Sequence, residues 1–485
     1  MNKKVICYLL GKISVGSTIA LLLPLIASFY YQEGHYADYF MVALVPAYCA
    51  FMFRHFSWNV ETKDITMREW ICAIVIGWLM VAGFAALPYI SIDVLDPVDA
   101  YFESMSGLTT TGVTSITNIG ALPKCLIFWR SLTGWFGGIA SILVFVAILP
   151  QFAGSSVYLF NSESSGNAKV GVLPRMKDSA YTLLLIYFVL TVFLAVTLGL
   201  LGLTPFEALN YACSTISTTG FAVHDSNMAY WENSIILLAT AVFMLMAGGN
   251  FALYYHVLQH GFKVLWEDLE FKVYTIGSVI VSLLIAANIL CVSGYDFLHG
   301  INSAYFQTVS FASTTGYTVG GYDEWPSFSK LLMGLLLFVG GCSGSAASGL
   351  KIGRVIILVK ILFLELKRIL HPQMLISVMY NKRALSVNSI LNISRFFFVY
   401  VLAVILFSFP LAAAGLPPDE ALFGAASCLS NNGPAFGMLG AVNAYVDLPV
   451  FTKVIMCVGM LLGRLEIFIV LSMVRKEFWR STKHW

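Results

Sequence analysis

Apolar runs of bilayer-spanning length recur along almost the whole chain, near residues 8–30, 37–54, 70–90, 126–150, 180–203, 233–258, 272–294, 328–364, 395–415 and 450–473. A hydrocarbon core takes ~20 helical residues to cross, so the pattern predicts a polytopic membrane protein with about ten spans. Composition agrees: 58% of the 485 residues are hydrophobic and 11% charged, where a soluble domain carries roughly a quarter charged residues. The chain begins MNKKVICYLLGKISVGSTIALLLPLIASFY, which has the outline of a signal peptide. Lys12 interrupts that outline and the apolar stretch continues to Tyr30, so it reads as a retained first helix. A formal net charge of +2 is too near neutral to suggest nucleic acid as a partner.

Basic residues set the expected orientation. Lys3, Lys4 and Lys12 open the chain, Arg54, Lys63 and Arg68 follow the second run, and Lys169, Arg175 and Lys177 the fourth. Lys263 and Lys272 follow the sixth, a dense cluster runs from Lys351 to Arg395, and Arg475, Lys476, Arg480 and Lys483 come last. Every second loop is basic, which predicts a multi-pass protein with both termini cytoplasmic. The alternate loops are acidic: Asp93, Asp96 and Asp99; Glu207, Asp225 and Glu232; Asp296, Asp323 and Glu324; Asp419, Glu420 and Asp447. These carboxylates fit either ordinary solvated loops or a negative outer vestibule that concentrates cations. The nine cysteines form no CxxC pair or metal-ligand spacing and read as small buried hydrophobes.

Four short, semi-polar segments follow the third, fifth, seventh and ninth runs: DAYFESMSGLTTTGVT (99–114), EALNYACSTISTTGFA (207–222), SAYFQTVSFASTTGYT (303–318) and EALFGAASCLSNNGPA (420–435). Aligned on Gly112, Gly220, Gly316 and Gly433, all have serine six residues earlier, at Ser106, Ser214, Ser310 and Ser427. Three residues earlier all have a hydroxyl, at Thr109, Ser217, Ser313 and Ser430, and twelve earlier an alanine, at Ala100, Ala208, Ala304 and Ala421. Four agreements in register without gaps predict an internal repeat. The fold class expected is an all-α integral membrane protein: four tandem helix–pore-loop–helix repeats forming a pseudo-tetrameric ion pore, behind an N-terminal pair of transmembrane helices. The divisions are residues 1–64 for the pair, then 65–178, 179–264, 265–383 and 384–485 for the four repeats.

Each segment is too short to cross, so it predicts a half-helix that enters from outside and stops partway. Non-helical backbone at that depth survives only inside protein or beside a watery cavity, and four copies around an axis supply one. Half-helix C-termini favour a cation, and each glycine lets successive carbonyls turn toward the axis, where they replace an ion's hydration shell. One small-residue helix-packing motif is an alternative for a single segment, but not for four in register.

Two further features stand in spans. The eighth run is interrupted by Gly340, Gly341, Cys342, Ser343, Gly344, Ser345, Ala346, Ala347, Ser348 and Gly349, a small, polar loop expected near mid-membrane. Gly137-Gly138 and Gly248-Gly249 occupy similar places in other copies and read as sites of close helix packing. Arg464 lies midway along the last run with Glu466 nearby, and an i, i+2 spacing does not place the two on one helix face. Ser348-Gly349-Leu350-Lys351 fits an SxxK pattern without companion motifs, and Lys351 reads as a surface anchor. No phosphate loop, dinucleotide fingerprint or HExxH motif is present, so neither an enzyme nor a bound cofactor is expected.

The four aligned loops resemble those of the Trk/Ktr/HKT superfamily of potassium transporters, and are most similar to the pore-forming membrane subunits of bacterial Trk uptake systems. The resemblance extends over essentially the whole chain, N-terminal pair included. It implies a potassium selectivity filter formed by Thr110, Thr111, Gly112 and Val113; Thr218, Thr219, Gly220 and Phe221; Thr314, Thr315, Gly316 and Tyr317; and Asn431, Asn432, Gly433 and Pro434. Glycine at all four key positions implies preference for potassium, while the asparagines of the fourth loop break fourfold symmetry. The same resemblance implies that 340–349 is an intramembrane gate and that Arg464 faces the pore and contacts it. It further implies a bacterial inner-membrane location, a homodimer, and a cytosolic ring of nucleotide-binding regulatory subunits, for which 351–395 and 475–485 are candidate contacts. Potassium is the expected substrate, moving inward along its gradient; the alternative is a proton- or sodium-coupled cation symporter, which ordinarily needs inverted repeats and midplane carboxylates.

Overall fold

In the computed structural model, which describes residues 1–58, 66–152, 172–231, 233–294, 296–372, 377–381, 383–440 and 445–479, the apolar runs form helices. A backbone shielded from water must bond to itself, and a helix does so within one segment. The expected boundary at 64/65 and the charges Lys63, Lys169, Glu232, Arg480 and Lys483 lie outside the described residues.

Helices α1 (Lys3–Tyr30) and α2 (Tyr36–Phe56) pack together as an N-terminal pair. A unit of long helix, short helix and long helix then recurs. The first is α3 (Met67–Ser91), α4 (Pro97–Leu108) and α5 (Lys124–Phe152). The second is α6 (Val172–Leu200), α7 (Pro205–Ile216) and the pair α8 (Ser234–Ala247) and α9 (Phe251–His260). The third is α10 (Leu269–Val292), α11 (Phe297–Ala312) and the pair α12 (Ser327–Leu336) and α13 (Ile352–Leu370). The fourth is α14 (Val387–Ala413), α15 (Pro418–Ser430) and the pair α16 (Val450–Arg464) and α17 (Ile467–Val474). Ile26, Phe29, Phe51, Phe193, Leu283 and Phe398 are exposed on the long helices, where a lipid-facing perimeter needs apolar side chains.

Two predicted spans are not continuous. The run 233–258 bends by 96° between α8 and α9, and the run 450–473 bends by 115° between α16 and α17. Seven described helices are long and apolar enough to cross a membrane, or nine if each bent pair is one span. The run 328–364 divides into α12 and α13, joined through the two-residue strands β1 (Val339–Gly340) and β2 (Leu350–Lys351), which pair in parallel. Gly248-Gly249 pack closely, as read from sequence, against the Tyr274 and Tyr254 hydroxyls, and they also mark a break: the α8 helix ends there and Asn250 caps α9 by accepting from the Ala252 N–H at 3.0 Å. Gly137-Gly138 remain inside α5. Arg464 therefore ends a helix rather than sitting midway along one.

Candidate ion pathway

The short helices α4, α7, α11 and α15 are built alike at both ends. Pro97, Pro205 and Pro418 open three of them, where a missing N–H costs nothing and φ is already helical. At the other end, the residue two before each key glycine turns left-handed: Thr110 at φ 56, Thr218 at 56, Thr314 at 54 and Asn431 at 53. That turn lets the following N–H reach back to the serine carbonyl at the helix end. Thr111 donates to Ser106 at 2.8 Å, Thr219 to Ser214 at 2.9 Å, Thr315 to Ser310 at 2.9 Å and Asn432 to Ser427 at 3.0 Å. The repeated serine thus marks a shared helix terminus.

Glycine is required next for two reasons. Gly112, Gly220, Gly316 and Gly433 all have positive φ, between 75° and 98°. In addition, a β-carbon on Gly112 would collide with the Thr219 carbonyl, on Gly220 with that of Thr315, on Gly316 with that of Asn432, and on Gly433 with that of Thr111. Each loop touches the next, and the fourth returns to the first. The four predicted segments therefore close into one ring, with the carbonyl before each glycine set against a neighbouring loop.

Hydroxyls brace this ring from behind. Ser106 donates to the Val113 carbonyl and Ser310 to that of Tyr317, both at 2.6 Å, while Ser427 donates to Gly433 at 2.7 Å. Thr109 and Thr111, Ser217 and Thr219, and Ser313 and Thr315 pair hydroxyl to hydroxyl at 2.7–2.8 Å. The fourth loop substitutes cross-links: Asn431 Nδ2 donates to Thr111 Oγ1 and to the Met460 carbonyl, and Asn432 Nδ2 to the Phe311 carbonyl, each at 2.9 Å. Tyr322 donates to the Ala435 carbonyl at 2.7 Å, joining the third loop's flank to the fourth.

Three buried side chains behind the ring, Glu103, Arg130 and Gln307, were not singled out from sequence. Glu103 accepts from Arg130 Nε at 2.7 Å and from the Ser115 N–H at 2.9 Å. Arg130 also donates to the Ala222 carbonyl at 2.9 Å and stacks on Phe221 with its guanidinium 3.9 Å from the ring centre. Gln307 stands at the same register as Glu103 and accepts from the Val319 N–H at 3.0 Å. The aligned segments carry the signal, Glu and Gln falling nine residues before Gly112 and Gly316.

The segment 340–349 packs against the third and fourth loops, Ser348 on Thr314 and Gly349 beside Ser430. Its ends are joined by β1–β2, and Gly344 and Gly349 turn at φ 78 and 72. Ser348 N–H donates to Thr314 Oγ1 at 3.1 Å, tying the segment to the ring. The broken second copy receives its other side: Cys342 N–H donates to the Gly248 carbonyl at 2.7 Å, and Phe251 N–H to the Gly344 carbonyl at 3.2 Å. Arg464, 7% exposed, donates to the Ala346 carbonyl at 2.9 Å, to Ser348 Oγ at 2.7 Å and to Ser141 Oγ. Among the described residues no carboxylate pairs with it. Glu466 pairs instead with Arg354 at 2.7 Å, in keeping with the i, i+2 argument. A cavity of about 60 Å³ lies between Arg464, Ser348, Lys351 and Arg354. Lys351 is not a surface anchor as the sequence suggested: its ammonium turns inward to the Ala347 carbonyl.

Four buried loops closed into a ring of carbonyls, within a chain of membrane-spanning helices, define a membrane transport protein. Among the described residues no His, Cys, Asp or Glu cluster stands ready for a metal ion. The chain belongs to the TrkH family of cation transport proteins, whose model matches residues 41–481. It is 33% identical to the Trk system potassium uptake protein TrkH of Salmonella typhimurium, over 99% of this chain and 100% of that one. It is 28% identical to the Trk system potassium uptake protein TrkG of Escherichia coli, over 99% of each. The crystal structure of the potassium transporter TrkH from Vibrio parahaemolyticus superposes with a TM-score of 0.89 at 30% identity, covering 99% of this chain and 100% of that one. These relatives are named as transporters, and the chain is a transport protein, not an enzyme.

Proposed function

We propose that this protein takes up potassium through a channel-like pore in the bacterial inner membrane, both termini cytoplasmic, with the ring as selectivity filter. The observation that carries the reading is the cyclic contact of the four glycines with their neighbours' carbonyls. Carbonyls fixed by half-helix ends and by serine and threonine bonds can replace water around a monovalent cation without reorganising. Thr110 to Val113, Thr218 to Phe221, Thr314 to Tyr317 and Asn431 to Pro434 line it, one segment from each of the four repeats. The relatives' names supply the ion: they are potassium uptake proteins.

Residues 340–349 act as the gate, held across the path by Arg464, whose unpaired charge repels a cation arriving from the ring. The Trk system named in the relatives supports a multi-component assembly. Accordingly a cytosolic nucleotide-binding subunit sets the gate, and the membrane part works as a homodimer. Purified protein in liposomes with an imposed potassium gradient tests the reading. Passive, potassium-selective flux that rises when 343–348 is shortened supports it. Flux strictly locked to proton or sodium movement returns the protein to the symporter class.

A further inference from the structure

Glu270, the second residue of α10, is 3% exposed and has no cationic partner within ion-pair distance among the described residues. One of its oxygens, Oε1, accepts from the Ser343 N–H at 2.7 Å, the Ser343 hydroxyl at 3.0 Å and the Gly353 N–H at 2.9 Å. Ser343 lies within the 340–349 loop and Gly353 just beyond its end, in the first turn of α13, so a single oxygen holds the loop to the helix that follows it. The other oxygen, Oε2, accepts from the Tyr380 hydroxyl at 3.3 Å. Tyr380 belongs to a small hairpin, β3 (Met379–Tyr380) with β4 (Arg383–Ala384), which lies outside the spans in the basic segment after α13. The hairpin grips the start of α10 a second time: Asn381 Nδ2 donates to Asp268 Oδ2 at 2.9 Å and Asn381 Oδ1 accepts from the Leu269 N–H at 3.2 Å.

A buried carboxylate that accepts from both the loop and the hairpin couples them, because displacing either one strips it of bonds it cannot replace from water. Gly353 fits the arrangement, since a β-carbon there would press on Glu270 Oε1 at 2.9 Å and on the Tyr380 hydroxyl at 3.0 Å. We propose that Glu270 is the positioning residue that latches the 340–349 loop closed, tying it through Tyr380 to the β3–β4 hairpin. The inference rests on the reading of 340–349 as a gate, and it names the joint between that gate and the cytoplasmic surface. The hairpin holds both the Tyr380 hydroxyl and the start of α10, so displacing it takes a donor from Glu270 and releases the backbone that carries it.

The test reads loop position apart from flux. Cys342 is 0% exposed and lies inside the loop, while Cys291 is exposed and serves as an internal reference. The full chain in liposomes is treated with a membrane-permeant maleimide and labelling is assigned to each cysteine by peptide mass spectrometry. Expected in Glu270→Ala is a rise of roughly tenfold in Cys342 labelling relative to Cys291, the population change that loss of one charge-assisted bond brings. Glu270→Gln, which keeps one carbonyl acceptor, should fall between Glu270→Ala and the unaltered protein, and Tyr380→Phe should give a smaller rise. If Glu270→Ala yields no monodisperse protein, Glu270→Gln and Tyr380→Phe carry the same readout. Cys342 protection unchanged in every folded variant overturns the latch. Labelling that rises while potassium flux stays absent, even after shortening of 343–348, upholds the latch and overturns the gate reading on which its role depends.

Discussion

Arg130 and Glu103 lie 2.7 Å apart, nitrogen to oxygen, at 2% and 0% side-chain exposure. The pair sits behind the ring and links the first loop, through Ser115, to the second, through the Ala222 carbonyl and the Phe221 ring. A buried ion pair is worth little against an apolar pair of equal shape, yet removing one partner strands the other charge at ~3–5 kcal/mol. Arg130→Met should therefore lower the unfolding midpoint sharply, and Arg130→Met with Glu103→Gln should recover most of the loss. Midpoints measured in detergent by scanning fluorimetry check it. A double variant no more stable than Arg130→Met alone would show that Arg130 acts through the Ala222 carbonyl rather than through Glu103.

Gly220 and Gly316 face two penalties when given a side chain. A left-handed backbone costs an L-residue ~1–2 kcal/mol, and the new β-carbon strikes the carbonyl of Thr315 or Asn432. The neighbour must rotate that carbonyl out of the ring, so Gly316→Ser should lose potassium-over-sodium preference by about tenfold or more, as a ~1.4 kcal/mol difference gives. Competition of sodium with potassium uptake measures it. Gly34, whose φ is 81 but which has open space around it, is the control: Gly34→Ala meets only the backbone cost and should leave ion preference unchanged.

The ring was legible in the sequence and the breaks were not, for a physical reason. Four loops that must turn left-handed and touch a neighbour can only carry glycine at one register, so Gly112, Gly220, Gly316 and Gly433 stand out in a single chain. Hydropathy, by contrast, does not register lost backbone bonds. Ser234–His260 and Val450–Val474 are apolar throughout, yet bend by 96° and 115°. Gly137-Gly138 and Gly248-Gly249 read alike, and tertiary partners separate them. Both pairs pack closely, Gly138 beside the Tyr187 hydroxyl and Gly248 beside that of Tyr274, but the first stays inside a continuous helix whereas Gly248 offers its own carbonyl to Cys342. Asn250 after the second pair was the available cue, since a capping residue directly after two glycines marks a new helix start. Glu466, at φ 62 in the other break, carries no such cue.

Arg464 makes two bonds to the loop and one to Ser141, and each charge-assisted bond is worth ~1.5–3 kcal/mol. Arg464→Ala removes these and the positive charge beside the cavity. Potassium flux into liposomes should rise roughly tenfold without any cytosolic partner, since one such bond suffices for that population change. Arg464→Lys keeps the charge but cannot reach two oxygens in one plane, so its flux should lie between. Flux at or below the starting level in both would detach Arg464 from gating.

Asn431 holds the closing joint of the ring, from the fourth loop to the first. It is the one left-handed residue of the four that is not threonine, and asparagine tolerates that backbone better than a β-branched residue. Its Nδ2 donates to Thr111 Oγ1 and the Met460 carbonyl at 2.9 Å, two bonds that threonine's single hydroxyl cannot span. Asn431→Thr would restore Thr at the position where the other three loops have it, and from resemblance alone would look conservative. The geometry argues the reverse. Two bonds at ~1 kcal/mol each, with a left-handed β-branched residue added, should lower stability by ~2–3 kcal/mol. The first and fourth loops should separate at the same time, so potassium preference should fall along with the unfolding midpoint. A midpoint and an ion preference both unchanged in Asn431→Thr would mean that the fourth loop's asymmetry plays no part in closing the ring.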